Sequence, residues 1–183
     1  QVISAFDSLW SKGYDINLVI IGKEGWKGLP ESKRRTIPWI VSAIKNHGEY
    51  QRRLIWLNDV TDEYLEKIYE SCKCFIAASE DEGFGLPIVE AAKRNLPIIS
   101  RDIPVFREIA GEHAFYFNGA DAMSLATSIV EWINSYKLGR LPRPNGIKCL
   151  TWQDNVRSLL DILFGKALPY EVIDSDGGIK AGD

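Results

Sequence analysis

Short apolar runs separated by amphipathic segments constrain the fold of this chain more than any other feature of the sequence. One run is Leu18-Val19-Ile20-Ile21, which Gly22 closes, and another is Cys74-Phe75-Ile76-Ala77-Ala78. A short apolar run without polar alternation predicts a strand that is buried on both faces of a parallel sheet. The segments between the runs carry apolar residues at helical spacing, so strands and helices are expected to alternate along the chain.

These patterns predict five strands and seven helices. The strands are expected at residues 17–22, 53–57, 74–79, 97–100 and 114–117. The helices are expected near residues 2–12, 37–47, 62–72, 87–94, 104–110 and 125–133, and from Thr151 onward. This order with short connections indicates an α/β fold with a doubly wound, Rossmann-like parallel sheet, which binds ligands outside the carboxyl ends of its strands.

Two of the predicted helices have recognisable starts. Thr61 is expected to cap the helix at 62–72, and Thr151 with Asp154 three residues later is close to a capping box. Their apolar residues predict which faces are buried. These inner faces are Leu65, Ile68, Tyr69 and Cys72 in the first helix and Val156, Leu159, Leu160 and Leu163 in the second.

The composition is that of an ordinary globular protein. Of the 183 residues, 45% are hydrophobic and 26% are charged, which excludes wholesale disorder. The formal net charge of -3 gives no basic surplus for a nucleic-acid partner. No apolar run approaches the ~20 residues that cross a bilayer, so no transmembrane segment is expected. Cys72, Cys74 and Cys149 are irregularly spaced and odd in number, which favours a reducing compartment over a disulfide framework.

The same patterns suggest where the domain ends. Residues 1–167 are expected to form one domain, and residues 168–183 are expected to be a tail or linker. The first helix begins at once, without a Ser, Thr, Asp or Asn cap. We therefore expect Gln1 to lie within a longer chain.

The segment from Ser79 to Ala92 carries the most informative chemistry, because it joins a predicted strand to a predicted helix. Gly83 and Gly85 let a ligand approach the backbone, and Pro87 favours a first helical turn whose free N–H groups attract an anion. The three acidic residues at 80–82 would repel that anion unless they face hydroxyl groups. A ligand with both phosphates and hydroxyls satisfies both requirements.

Glu90, one turn inside the predicted helix, indicates a third property of the ligand. Its carboxylate can accept two hydrogen bonds from a vicinal diol such as a ribose. A nucleotide sugar contains phosphates, sugar hydroxyls and a ribose, which makes it the best candidate ligand. The alternative interpretation of the same residues is a plain acidic turn followed by a capped helix.

The two glutamates Glu82 and Glu90 enclose seven residues that include Gly83-Phe84-Gly85. Further matching segments are the Gly22-Lys23-Glu24-Gly25-Trp26 loop and the Pro104–Gly111 segment. On these residues the chain resembles the retaining glycosyltransferases of family four, also described as group 1, which have the two-domain GT-B fold. The resemblance covers residues 1 to about 167 and implies the C-terminal, donor-binding half of such an enzyme.

The resemblance also implies roles for individual residues. Glu90 would hold the ribose hydroxyls of the donor, and Glu82 would lie beside the transferred sugar, so both are assigned to the catalytic site. The other donor-binding positions that it implies are the backbone groups of Gly83, Phe84 and Gly85, then Leu86 near the diphosphate, Val60 near the base, and Gly22.

Members of this family stabilise the leaving diphosphate without a metal or another cofactor. They use a helix N-terminus together with an Arg and a Lys that follow the first strand of the donor domain. The resemblance places that strand, both cations and the acceptor-binding N-terminal domain outside this chain. We therefore expect the chain alone to bind donor weakly and to be inactive.

The segment Asp102–Glu108 looks most like bacterial mannosyltransferases of surface polysaccharide and O-antigen synthesis. This implies transfer of a hexose, with GDP-mannose favoured over UDP-sugars as donor, to a glycan or lipid-linked acceptor. It also implies a cytoplasmic enzyme and leaves open a peripheral association with the inner face of the cytoplasmic membrane. The alternative is a non-catalytic nucleotide-sugar-binding or structural module of a multidomain glycan polymerase.

Asn58 and Asn95 stand where this family has glycine. Asparagine tolerates positive φ better than other side chains do, so we expect the fold to accept both residues. Cys72 and Cys74 adjoin a strand and are expected to be small core residues rather than metal ligands. The basic cluster at residues 33–35 is expected to be a solvated helix face.

Overall fold

A computed structural model describes residues 1–24, 30, 36–149, 151–165, 172–173 and 179–180. The chain divides into two compact units, Gln1–Ile147 and Lys148–Asp183. The boundary that the sequence predicts after residue 167 lies inside the second unit and stays a prediction. The basic cluster at residues 33–35 and the loop residues Gly25 and Trp26 lie outside the described residues.

In the first unit, strands and helices alternate as the apolar pattern predicts. Its elements are α1 Val2–Ser11, β1 Leu18–Ile21, α2 Ile37–Lys45, β2 Leu54–Leu57, α3 Asp62–Ser71, β3 Phe75–Ala77, α4 Leu86–Lys93, β4 Ile98–Arg101, α5 Pro104–Ala110, β5 Phe115–Phe117, α6 Ala122–Lys137 and a 3-10 turn at Pro144–Gly146. The predicted α/β class is confirmed, with small shifts at the ends of most elements.

The strands pair in parallel within two sheets. β1 pairs with β2, with Leu18 opposite Leu54, and the second sheet has the order β3-β4-β5, with Ile99 opposite both Ile76 and Phe115. Both sheets contribute side chains to one hydrophobic core, together with α1 and α6, which pack against each other. Within the described residues, β1 and β3 each pair with a strand on one side only.

Burial differs among the strands more than the sequence predicts. All four residues of β4 are buried, whereas β1 begins with the buried Leu18 and ends with Ile21, which is 39% exposed. The sequence predicts burial on both faces for β1 and β3, and the prediction is wrong because each of these strands has only one buried residue. β4, for which the sequence predicts a strand without specifying its burial, is the strand that is buried throughout. β4 lies between two strands, and the others are edge strands within the described residues.

The helix ends test two further predictions about backbone conformation. Asn95, which follows α4, has a φ of +52°, and its N–H donates to the Ala92 carbonyl at 2.9 Å. The expectation that asparagine takes a glycine-like conformation there is confirmed. Asn58 does not need that tolerance, because Gln51 and Asn95 are the non-glycine residues with positive φ in the described chain. Thr61 caps α3 as predicted, since its Oγ1 accepts from the Tyr64 N–H at 3.3 Å.

The second unit contains α7 (Trp152–Leu163), β6 (Val172–Ile173) and β7 (Ile179–Lys180), and the two strands are antiparallel. The capping box predicted for α7 is present. The Thr151 N–H donates to Asp154 Oδ2 at 2.9 Å, and the Asp154 N–H donates to Thr151 Oγ1 at 3.1 Å. The Thr151 hydroxyl also donates to Asp154 Oδ2 at 2.6 Å, and this bond, followed by that from the Thr151 N–H, lowers the pKa of Asp154 below its usual value.

The burial predicted for α7 is wrong. Its apolar stripe is exposed, and its members are Val156 at 52%, Leu159 at 54%, Leu160 at 44% and Leu163 at 68%. The helical period correctly predicts that these residues share one face. It does not specify a covering element, and the described strands of the second unit have only two residues each.

Arg101 is the charged residue of the buried core, with 7% of its surface exposed. It lies at the carboxyl end of β4. Its Nε donates to the carbonyls of Ala78 and Ser79 at 3.2 and 3.0 Å, and its Nη2 donates to Ala78 at 3.0 Å. The remaining donors reach the Gly119 carbonyl and Gln1 Oε1. The guanidinium thereby uses its donors on carbonyl groups beyond the ends of β3 and β5.

We expect Arg101→Met to lower the free energy of unfolding by about 3 kcal/mol, because the hydrogen bonds that join this buried side chain to three backbone carbonyls and to Gln1 are lost. Urea unfolding of the variant measures the change. Arg140→Met is the matched control, since Arg140 is exposed, and we expect an effect below about 0.5 kcal/mol. Equal unfolding midpoints for the two variants would show that the network adds no stability.

Candidate functional site

The candidate site lies in the connection between β3 and α4, at the carboxyl end of a buried sheet. β3 ends at Ala77, the residues from Ser79 to Phe84 are exposed, and α4 begins at Leu86. Six of the predicted site residues fall in this segment, namely Glu82, Gly83, Phe84, Gly85, Leu86 and Glu90. Gly22 and Val60 lie just beyond the carboxyl ends of β1 and β2, in the other sheet.

Gly85 is required at the N-cap of α4 for two reasons. Its backbone is left-handed, with a φ of +72°, which side-chain-bearing residues adopt only at a cost. A Cβ there would also lie 3.0 Å from a ring carbon of the buried Phe106 and 3.1 Å from the Ile109 side chain. By contrast, a Cβ on Gly83 would meet no atom within 4 Å. The sharp turn at Gly85 directs the start of α4 toward the exposed loop.

The N-terminus of α4 presents free backbone donors. Within the described residues, the N–H groups of Phe84, Gly85 and Leu86 have no protein acceptor, and the Ile88 N–H donates to the Gly85 carbonyl at 2.9 Å. Pro87, in the first turn, has no N–H to satisfy. Free N–H groups and the positive end of the helix dipole together favour an anion at this position.

The acidic residues Glu80, Asp81 and Glu82 precede these donors and are exposed. One oxygen of Asp81 accepts from the Glu82 N–H at 2.9 Å, which fixes the local turn. In the described part of the chain, none of the three carboxylates forms an ion pair. They are therefore available as acceptors for hydroxyl groups, and their contact with such groups stays a prediction.

Glu90, in contrast, is half-buried and held by a neighbouring helix. The Tyr69 hydroxyl of α3 donates to Glu90 Oε2 at 3.2 Å. Burial, and secondly the charge of Glu90, raise the pKa of Tyr69 to about 12, so the phenol remains a donor at neutral pH. Arg94 Nη1 donates to the backbone carbonyl of Glu90 at 2.7 Å. The sequence analysis did not predict the contacts of Tyr69 and Arg94 with Glu90.

The surroundings of the site differ in polarity. Phe84 and Leu86 are each 60% exposed, and Val60 is half-buried. At the end of β1, the Gly22 carbonyl accepts from Trp56 Nε1 at 3.0 Å, and the Gly22 backbone has a φ of +137°. Phe84 and Leu86 thus combine exposed apolar side chains with backbone N–H groups that are free within the described residues, which suits a ligand that has both apolar and charged parts.

Other ligand chemistries have less support in the described residues. No cluster of three or more His, Cys, Asp or Glu side chains there could hold a metal ion. Cys74 packs against the core as predicted, and burial raises the pKa of its thiol. His47 pairs with Asp7 at 2.8 Å. None of the described helices has the length and apolar character needed to cross a membrane.

Solved structures with a similar fold are glycosyltransferases of the GT-B type. Sucrose-phosphate synthase from Thermosynechococcus elongatus superposes with a TM-score of 0.64 at 20% identity, over 90% of this chain and 43% of that chain. A glycosyltransferase from Rickettsia africae ESF-5 superposes with a TM-score of 0.65 at 18% identity, over 88% of this chain and 42% of that chain. At these identities the likeness shows the fold alone.

The sequence comparisons define the family. The profile described as "Glycosyl transferases group 1" matches residues 1–148, and the chain therefore belongs to this family. It is 40% identical over 160 residues to the Serotype-specific mannosyltransferase WbdA of Escherichia coli, covering 87% of this chain and 18% of the relative. It is 36% identical over 81 residues to the O-antigen chain mannosyltransferase RfbU of Salmonella typhimurium, covering 44% of this chain and 23% of the relative. The chain thus spans about a fifth of the length of these relatives.

We expect Gly85→Ala to lower the free energy of unfolding by about 1–3 kcal/mol, because alanine is strained at this φ and meets the Phe106 ring. Gly83→Ala is the control within the same loop, where space is available and φ is not positive. Urea unfolding of both variants checks the prediction. A Gly83→Ala variant that loses as much stability as Gly85→Ala would contradict it.

Proposed function

We propose that this chain is the donor-binding, C-terminal domain of a retaining glycosyltransferase of family four. The intact enzyme would transfer a hexose, with mannose favoured, from a nucleoside diphosphate sugar to a glycan or lipid-linked acceptor. One observation carries the proposal. Exposed, unpaired carboxylates stand directly before the free N–H groups of a helix N-terminus, and a half-buried carboxylate lies one turn further on.

Each part of a nucleotide sugar has a matching group in this arrangement. The diphosphate would lie at the N-terminus of α4, near Leu86, where backbone donors stabilise the leaving group as charge develops. The hexose hydroxyls would donate to Glu82, and the ribose hydroxyls to Glu90. Val60 and Gly22 would border the base. The names of the relatives WbdA and RfbU support mannose as the sugar and O-antigen synthesis as the process.

In this proposal, no side chain of the chain acts as a general base. The acceptor hydroxyl would attack the anomeric carbon from the same face that the diphosphate leaves, and electrostatic stabilisation of the diphosphate would be the main contribution. We propose that no metal takes part and that an Arg and a Lys outside this chain assist. The chain alone would then bind donor weakly and catalyse little, and the intact enzyme would work in the cytoplasm.

Saturation-transfer NMR of the intact gene product tests the donor. We expect GDP-mannose to show saturation at its ribose protons, with a weaker response from UDP-glucose.

Glu90→Ala should weaken donor affinity at least about 10-fold, because a charged acceptor of two hydrogen bonds is lost. Glu82→Ala should lower kcat by about 100-fold or more, because it removes contacts to the reacting sugar.

The exposed Glu108 of α5 provides the control, and Glu108→Ala should leave both donor affinity and kcat unchanged. Full activity in both site variants would overturn the assignment of Glu82 and Glu90. Donor binding without any transfer in the intact gene product would instead favour the non-catalytic module.

We propose further that one more parallel strand lies between β1 and β3. Such a strand would join the two described sheets into one, in the order β2-β1-x-β3-β4-β5. The position of Gln1 supports this, because its Nε2 donates to the carbonyls of Gly119 and Asp121, just beyond the carboxyl end of β5. A strand leading into α1 would end at that edge, and a right-handed crossover through α1 would place it beside β1.

Hydrogen exchange tests this strand. In the intact gene product, we expect backbone N–H groups of β1 and β3 to exchange at least about 10-fold more slowly than in the 183-residue chain, because both edges become paired. The buried β4 is the internal control, with a smaller change. Equal exchange in β1 and β3 of the two proteins would contradict the added strand.

A further inference from the structure

We infer that Tyr69 is a positioning residue, which holds the Glu90 carboxylate in the orientation that accepts hydrogen bonds from a ribose diol. This inference rests on the proposed function, because it takes the diol to be that of a bound nucleotide. Tyr69 and Glu90 lie on different helices, α3 and α4, and the 3.2 Å hydrogen bond between them is the direct contact that carries the inference.

Only one of the two carboxylate oxygens is engaged. The Tyr69 hydroxyl donates to Oε2, whereas Oε1 has no hydrogen-bond partner among the described residues. A vicinal diol has two O–H donors, and a carboxylate fixed at one oxygen still has lone pairs on both oxygens for them. The phenol therefore orients Glu90 without using its capacity to accept from a ligand.

The guanidinium of Arg94, at the end of α4, pairs with another carboxylate and not with that of Glu90. Arg94 Nε donates to Glu66 Oε2 at 2.7 Å, and a second nitrogen of the same guanidinium donates to Glu66 Oε1. This pairing lowers the pKa of Glu66. Towards Glu90, Arg94 contacts the backbone carbonyl and not the carboxylate. The Glu90 carboxylate thus forms no ion pair among the described residues, and its oxygens stay open to hydroxyl donors.

Arg94 also fixes the donor of the hydrogen bond. Its guanidinium carbon lies 4.5 Å from the centroid of the Tyr69 ring, a cation–π contact that holds the ring in place. The Glu66 carboxylate in turn holds the guanidinium, so α3 and α4 are joined through three side chains behind Glu90. A glutamate left free to rotate would lose side-chain entropy on binding a ligand, and this arrangement removes part of that cost beforehand.

The chemistry of the ligand provides a test that a purely structural role would not pass. Calorimetric titration of the intact gene product with GDP and with 2′,3′-dideoxy-GDP compares a nucleotide that has the diol with one that lacks it. We expect Tyr69→Phe to weaken GDP binding about 3- to 10-fold, as for the loss of one hydrogen bond to a charged group, and to leave 2′,3′-dideoxy-GDP binding unchanged.

Tyr64→Phe is the matched control, because Tyr64 lies on the same helix and is 50% exposed. It should change neither affinity. The positioning role would be overturned if Tyr69→Phe lowered the affinities for GDP and for 2′,3′-dideoxy-GDP equally, or lowered neither. Glu90→Gln separates this inference from the proposed function. If Glu90→Gln lowers the affinity for GDP and Tyr69→Phe does not, only the role of Tyr69 is wrongly assigned. If Glu90→Gln leaves the affinity for GDP unchanged, the ribose site itself is contradicted.

Discussion

The hydrogen bonds of the buried Arg101 organise the end of the molecule at which the candidate site lies. The Arg101 side chain is buried, where an unpaired charge is costly, and its partners are backbone carbonyls beyond the ends of β3 and β5. The guanidinium, which has only donors, bonds the carbonyls of Ala78, Ser79 and Gly119 at the same time. The exposed acidic loop begins directly after Ser79. Arg101 therefore anchors the backbone at the point where the loop begins.

The arrangement of charge explains why a single loop can serve a ligand of mixed polarity. The positive contribution comes from backbone N–H groups at the start of α4, which have no counter-ion, and the negative contribution comes from unpaired carboxylates. The guanidinium of Arg94, at the end of α4, is paired with Glu66 and not with the carboxylates of the loop. Phosphate oxygens and hydroxyl groups can therefore each find a partner within one short segment, and a ligand of purely one kind leaves half of the groups unsatisfied.

Local pattern predicts most of the fold and the location of the site. The bounds of α5, the caps at Thr61 and Thr151, and the left-handed Asn95 follow from residue type and spacing, because each depends on neighbours in sequence. What could not be predicted depends on tertiary contacts. The contact between Tyr69 and Glu90 joins residues that are 21 positions apart in the sequence. The helical period of α7 identifies its apolar face, but whether another element covers that face is a tertiary property.

The two glutamates of the motif differ in how firmly they are held, and this difference matters for the proposed function. Glu90 lies on a helix and is fixed by Tyr69, so recognition of the ribose would be rigid and independent of the transferred sugar. Glu82 lies on an exposed loop, where its N–H donates to Asp81, while its side chain forms no ion pair or hydrogen bond with the other described residues. Recognition of the hexose would then adapt to the hydroxyl pattern presented. A fold built this way can change its sugar without rebuilding its nucleotide site.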